Sequence, residues 1–251
     1  MRRFFISPEK TATDMSIITG SDAAHITQVL RYKIGDIIVL FDGKGTEYKA
    51  KILKLAPGEV QLSIIHRYTH NKEPFIHITV AQAFLKEKKM DVVVRQLSEI
   101  GVAHWVPFQA KRSVTVLNAK RLAVRKSRWE KIAVEAAKQC GRNRVMSIEP
   151  AASFSQVLNR YVEFDQRIIF WEKETKSLKA LQPEENIRSG SKVAIILGPE
   201  GGFDSQEVKA ALAKGFTTVG LGPRILRAET ATIVACSLVQ FIFGDMGQQS
   251  A

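Results

Sequence analysis

The sequence predicts an α/β protein in which a small barrel-like β domain precedes a larger domain built on a mostly parallel sheet. Three observations carry this. Over the first seventy residues, short runs of alternating apolar character are separated by glycine and proline turns. After residue 73 the rhythm changes to strand, helix, strand, the pattern of a parallel sheet with crossover helices. Between them lies the polar segment 70–74, closed by Pro74, which places domains at 1–72 and 73–251.

In the first domain the expected strands are RRFFI, DIIVLFD at 36–42, EYKAKILKL at 47–55 and EVQLSIIHR at 59–67, with turns at Gly35-Asp36, Gly43-Lys44-Gly45 and Pro57-Gly58. One short helix is expected between them, capped by Ser21 or Asp22 and presenting Ala24, Val29 and Leu30 to the core. In the second domain ITVAQAF at 78–84 reads as a strand. Met90 to Ile100 has helical spacing through Val93, Val94, Leu97 and Ile100, and Gly101 stops it. WVPF at 105–108 follows as a strand, then a longer helix from about Lys120 to Cys140 with Leu122, Trp129, Ile132, Ala133, Ala136 and Cys140 on one face. The next strands are QRIIFWE at 166–172 and KVAIIL at 192–197. Asp204 and Glu207 then form a capping-box pattern that launches a helix ending near Gly215. TTVGL at 217–221 is the last strand and Glu229 to Phe243 the last helix, apolar around so much of its circumference that it needs burial on more than one side.

The 251 residues suffice for a substantial core, and 45% hydrophobic with 25% charged residues is ordinary for a globular protein. The charge balance is not ordinary. Thirty-seven Lys and Arg against twenty-five Asp and Glu leave +12, and 111–144 alone holds eleven Lys or Arg against two Glu. Such a patch points to a polyanionic partner, nucleic acid above all. The two cysteines, Cys140 and Cys236, form no metal-binding pair, and His66 and His70 have no acidic or thiol ligands beside them, so no metal site is expected. The N terminus lacks a signal-peptide core. The most apolar stretch, 233–243, is broken by Ser237 and Gln240 and falls short of the roughly 20 residues that span a bilayer. The expected location is cytoplasmic, with no membrane partner.

Ligands of such sheets gather beyond the carboxyl ends of the strands. Three ends align here: Trp171-Glu172, then Gly198 to Gly202 in the stretch LGPEGGF, then Gly222 to Glu229 in LGPRILRAETAT. The glycine pair is not a P-loop, because Phe203 and Asp204 stand where a lysine and a hydroxyl would be needed. Neither is it the dinucleotide fingerprint. A glutamate among the glycines would repel a pyrophosphate. In the third loop Ile225 and Leu226 offer an apolar wall and Arg227 a fixed positive charge.

LGPEGGF followed by LGPRILRAETA resembles the paired cofactor loops of the SPOUT methyltransferases, particularly the family that methylates N3 of a uridine in 16S ribosomal RNA. Further matches run along nearly the whole chain: MRRFF, HITQVLR at 25–31, DGKG at 42–45, KEKKMDVVVRQLSEIGV at 86–102, RSV at 112–114 and AAKQCGR at 136–142. The resemblance implies a homodimer whose protomer carries a PUA-like barrel and a SPOUT domain with a C-terminal trefoil knot. Ordinary connection rules would not have drawn that knot. It also implies S-adenosylmethionine as cofactor, bound by Glu172, Leu197, Gly198, Pro199, Glu200, Gly201, Gly202, Leu221, Gly222, Ile225 and Leu226. The resemblance further implies an RNA substrate in the small ribosomal subunit. Lys138, where the family often has glutamate, and Asp204, where serine is common, depart from the pattern.

On this reading Arg227 stabilises charge on the reacting uracil. Glu200 is a proton acceptor, a partner for the sulfonium or a structural anchor, and Glu229 a helix-terminal charge. Arg2, Arg3, His25 and Arg31, with Lys111, Arg112, Arg142 and Arg144, are the candidates for RNA phosphates. Two alternatives stand beside it: a knotted methyltransferase for another RNA position, and a non-catalytic RNA-binding assembly factor.

Overall fold

The computed structural model describes residues 2–11, 14–69, 73–113, 118–178, 181 and 187–247. Residues 70–72 of the expected domain boundary, with His70, Met1 of MRRFF and Val114 of RSV, lie outside them. The chain divides into two units, 1–73 with 134–145 and 74–133 with 146–251.

Alternation builds the first unit. β1 (Arg3–Phe5), β2 (Met15–Thr19), β3 (Ile37–Phe41), β4 (Thr46–Ala56) and β5 (Glu59–Thr69) form one sheet in the order β1-β3-β4-β5-β2, antiparallel except for β1 on β3. Along β4 Tyr48, Ala50 and Ile52 point inward while Lys49 and Lys51 point out, as period-two patterning requires. Register shifts at Lys49/Ala50 and Ile52/Lys54 bend β4 and β5 around the core of Phe4, Ile18, Ile38, Leu40, Ile52 and Leu62. The DGKG turn is held by Asp42, whose carboxylate accepts the Lys44 and Thr46 N–H groups at 2.8 and 3.0 Å and the Tyr48 hydroxyl at 3.2 Å.

The inserted helix departs from expectation. α1 (Ser21–Ala24) starts after Gly20, which sits at φ 69, so Ser21 is the first helical residue and no side chain caps it. It runs straight into a π-turn over His25–Val29, closed by Leu30 N–H on the His25 carbonyl at 2.9 Å. The wider turn rotates the inward face, so Ala23 and Ile26 are buried while Val29 is left 67% exposed.

Residues 134–145 join this unit, which a boundary in the linear sequence cannot express. Asn143 exchanges two hydrogen bonds with Gly45, and Val145 N–H reaches the Gly43 carbonyl at 3.0 Å.

In the second unit every strand pairing is parallel. β6 (His77–Ala83), α2 (Glu87–Ile100), β7 (His104–Gln109), α3 (Ala119–Cys140, its last seven residues belonging to the first unit), β8 (Ser147–Ile148), β9 (Ala152–Ser153) and α4 (Phe154–Arg160) are followed by β10 (Gln166–Phe170), β11 (Lys192–Leu197), α5 (Ser205–Ala213), β12 (Thr217–Val219) and α6 (Ala228–Phe243). The sheet order is β12-β10-β11-β6-β7-β8, with β9 also on β7. β11 sits in its middle, and Val193 to Leu197 are all buried, because both faces of a parallel sheet are covered. Helix signals land where the sequence puts them: Gly101 ends α2 at φ 95, and the Asp204–Glu207 capping box opens α5. The short β8, β9 and α4 were not legible; α4 has its own capping box from Ser153 and Gln156.

The C-terminal path positions the site. β12 lies at one edge, yet α6 packs on β11 and α2, and Thr232 donates to the buried Gln82 side chain on β6 at 2.5 Å. The chain must therefore cross the ends of β10 and β11. In crossing, Gly220 bridges Ser177 and donates its N–H to the Lys176 carbonyl at 2.9 Å. This return is the path that the resemblance implied.

Candidate active site

The loops after β10, β11 and β12 end side by side and wall one cavity of about 300 Å³. Phe170, Trp171 and Glu172 come from the first, Leu197 to Phe203 from the second, and Leu221, Gly222, Arg224, Ile225 and Leu226 from the third, with Ala228 and Ala231 of α6 closing it. All eleven residues expected at a cofactor lie on this lining. Walls of this kind offer apolar contact and exposed backbone, not a phosphate cradle.

Gly202 shows why the turn is glycine-rich. Its φ is 67, and a Cβ there would come 2.4 Å from a Glu172 carboxylate oxygen. The left-handed backbone favours glycine, and a Cβ there would make the flexible Glu172 carboxylate swing aside. Ile225, by contrast, leaves its apolar side chain 85% exposed at the third loop.

Glu200 is built into a network. Its carboxylate accepts the Lys86 backbone N–H at 3.2 Å, at the start of α2, and pairs with the Lys89 ammonium at 3.2 Å. Burial pushes its pKa up, but the backbone donors and Lys89 outweigh that and hold it below the ordinary glutamate value. A carboxylate so held is a poor proton acceptor and a good anchor. Glu229, in the first turn of α6, pairs with the same ammonium at 3.2 Å, and the Lys89 pKa is raised, first by Glu229 and also by Glu200.

A second bracket is neutral. Gln82, fully buried at the end of β6, donates to the Gly198 carbonyl at 3.1 Å and accepts from Thr232 of α6. It ties the GPEGG turn to the last helix. Across the turn, Arg112 donates to the Gly201 carbonyl at 3.3 Å. Glu174 holds the first loop: it accepts from Thr218 at 2.5 Å and from the Thr175 and Lys176 N–H groups, the Thr218 bond leading in lowering its pKa.

Arg227 is the N-cap of α6 and is exposed; its chain neighbours Leu226 and Ala228 line the cavity, while its own side chain is outside the lining. Cys236 is fully buried in α6, with its thiol pKa raised by burial, which makes it inert packing.

The basic candidates separate into two kinds. Arg2, Arg31 and Arg144 are exposed, and Arg2 meets His25 at 3.3 Å. Arg3 and Arg142 correct the sequence reading, because both are spent inside the first unit. Arg142 is 5% exposed and pairs with Glu73 at 2.6 Å, while Arg3 pairs with Glu47, lies over the Phe41 ring and donates to the Ala137 and Arg142 carbonyls. With side chains 12% and 6% exposed, the Arg3 and Arg142 guanidiniums are committed to carboxylates inside the unit and present little surface to a phosphate. Lys111 and Arg112 are exposed but lean on Asp204 at 3.3 and 3.6 Å. The family departures also find partners: Asp204 caps α5, and Lys138 bridges Asp22 and Glu135 at 2.9 and 3.0 Å.

Sequence reasoning missed Gln82, Lys86, Lys89 and Thr232 as parts of this site. A glutamine inside the apolar run ITVAQAF was a readable signal, since a polar residue in a buried strand needs a partner. Lys89 carried none, because a lysine on a helix is ordinarily a solvated charge.

Comparison with known proteins agrees with this geometry. A family model described as RNA methyltransferase domain matches residues 71–240, and one described as RNA methyltransferase PUA domain matches 18–65. Ribosomal RNA small subunit methyltransferase E of Bacillus subtilis is 34% identical over 247 residues, 96% of this chain and 96% of that protein, and its Buchnera aphidicola counterpart 31% identical over 97% and 94%. The crystal structure of the same-named Neisseria gonorrhoeae protein, bound to S-adenosyl methionine, superposes with a TM-score of 0.86 at 29% identity, covering 98% of this chain and 99% of that one. With a domain model matched over more than half its length and a relative 34% identical almost end to end, the chain belongs to the ribosomal RNA small subunit methyltransferase E family of RNA methyltransferases.

Proposed function

We propose that this protein transfers a methyl group from S-adenosylmethionine to N3 of a uridine in the 16S RNA of the small ribosomal subunit. The observation that carries the reading is the single cavity walled by the three loops, apolar and glycine-rich, with three carboxylates from Glu172, Glu200 and Glu229 on or beside it and no phosphate cradle. That chemistry fits a bent adenosyl ligand with a cationic sulfur. When bound, S-adenosylmethionine would supply an electrophilic methyl group and leave as S-adenosylhomocysteine.

The chain's own residues supply the rest. The three loops hold donor and base in line, which accounts for much of the acceleration. Arg227, an exposed fixed cation at the N-cap of α6 beside the cavity, stabilises the negative charge that uracil acquires when N3 gives up its proton to water. Glu200 anchors the turn rather than moving protons, as its lowered pKa favours. Arg2, His25, Arg31, Lys111, Arg112 and Arg144 hold RNA phosphates. The protein works in the cytoplasm as a homodimer through the side of α6 where Leu238 and Phe241 remain 38% and 62% exposed.

The test is methyl transfer from labelled donor to naked 16S RNA, small subunits and tRNA in parallel, followed by nucleoside analysis. 3-Methyluridine in 16S RNA is the expected product; label in another nucleoside or only in tRNA overturns the substrate assignment. Arg227→Ala should keep donor affinity while turnover falls on the order of 10²-fold. Unchanged turnover would remove Arg227 from the mechanism.

A further inference from the structure

We propose that Lys89 is a positioning residue that sets the spacing between the GPEGG turn and the start of α6, and hence the width of the donor cavity. The inference rests on reading that cavity as the S-adenosylmethionine site.

Glu200 and Glu229 reach Lys89 from different segments, separated in the chain by α5 and β12. Each has a carboxylate oxygen 3.2 Å from the Lys89 ammonium, so the two acids stand within twice that distance of each other. Both side chains are largely shielded, 23% and 21% exposed, where like charges repel far more than they do in water. Glu200 has a second anchor in the Lys86 N–H, whereas among the described residues Lys89 is the only cation that pairs with Glu229. Pro199, Gly201, Ala228 and Ala231 flank these acids on the cavity wall. Removing the ammonium therefore leaves two mutually repelling carboxylates, each attached to a different wall.

Two roles for this lysine can be told apart. If Lys89 merely screened the acids from the donor, its loss would tighten binding of a sulfonium and leave a neutral thioether untouched. If it holds the walls together, both ligands weaken. Protonation gives a further signature, because one carboxyl that takes a proton can hydrogen-bond the other and draw the walls back together. Among the described residues the charged groups that act on the ammonium are Glu229 from the first turn of α6 and Glu200 from the turn, while Asp91, two residues along α2, is committed to Arg128 at 2.6 Å. None is a histidine, so recovery in mild acid reports the carboxylate pair.

The experiment is calorimetric titration of wild type, Lys89→Met, Lys89→Arg and, as a control on the exposed neighbour, Lys88→Met, with S-adenosylmethionine and with S-adenosylhomocysteine at pH 7.5 and 5.5. Circular dichroism checks the fold. Lys89→Met should weaken both ligands roughly tenfold at pH 7.5 and recover most of that at pH 5.5, while Lys89→Arg and Lys88→Met stay near wild type. Unchanged affinity in Lys89→Met, tighter sulfonium binding alone, or a loss that ignores pH overturns the proposal. If the methionine variant unfolds, Lys89→Met combined with Glu229→Gln decides: with one acid neutral the repulsion is gone, so the double variant should fold and bind both ligands within a few-fold of wild type, and a tenfold loss there refutes the proposal. Failure of wild type to bind either ligand would sink the donor-site reading instead.

Discussion

Replacing Gly220 by alanine tests the crossing on which the cavity depends. An added Cβ would stand 2.1 Å from the Glu174 carbonyl oxygen and 3.1 Å from its carbon, against the 3.4 Å or more of ordinary contact. The obstacle is backbone, and it has little room to retreat. Ser177 bridges Gly220, the Lys176 carbonyl takes the Gly220 N–H at 2.9 Å, and the Glu174 side chain is tied to Thr218 at 2.5 Å. Overpacking of this kind costs about 1–3 kcal/mol. Breaking the one backbone hydrogen bond adds about 1 kcal/mol. A total of roughly 2–4 kcal/mol lowers the melting temperature by on the order of 5–15 °C for a unit of this size. Gly58→Ala is the control: its φ of 73 brings strain, but nothing lies within 4 Å of the new methyl. Strain of that sort alone costs roughly 1–2 kcal/mol. Urea and thermal melts of both variants measure the difference, and donor titration shows whether the third wall still closes. A Gly220→Ala protein as stable as wild type, with its cavity intact, would refute the steric argument.

Two further outcomes follow from buried charges. Arg142→Met strands Glu73 in a site where the pair is 6% and 14% exposed, and urea denaturation should show a loss of about 3–5 kcal/mol, against under about 0.5 kcal/mol for Arg144→Met on the surface. Equal, small effects would mean that Arg142 is not structural. Glu200, with its pKa held below the ordinary 4.5, contributes stability that is present above that value and lost as pH falls through the lowered one. The stability gap between wild type and Glu200→Gln should therefore be open at pH 7 and shrink below about pH 4.5. A gap that widens in acid contradicts the network; Lys89, whose pKa is raised, remains charged throughout that range.

What could be read from the sequence was what is encoded locally. KVAIIL announces a strand buried on both faces, Asp204 and Glu207 announce a helix start, and the order of the two cofactor-loop motifs points to one rim of the sheet. β2 escaped because Met15 and Ile17 are apolar yet 52% and 41% exposed, which blurs the alternation. The inward face of α1 was misjudged because a π-turn leaves no mark in composition. Charges were the least legible of all. Arg142 meets Glu73 from 69 positions away and Glu200 meets Lys86 from 114, and a basic residue with a buried partner looks the same in a string of letters as one in solvent.

The return of the chain past Ser177 has a temporal meaning as well. Strands β6 to β11 could pair as soon as they exist, but the last wall of the cavity arrives only after residues 221–231 have slipped by the segment at 174–177 and docked through Thr232. A nascent or half-threaded molecule is thus blind to its small-molecule ligand. Any such ligand then rewards only completion, pulling the population toward finished molecules by mass action and leaving incompletely threaded ones without that advantage.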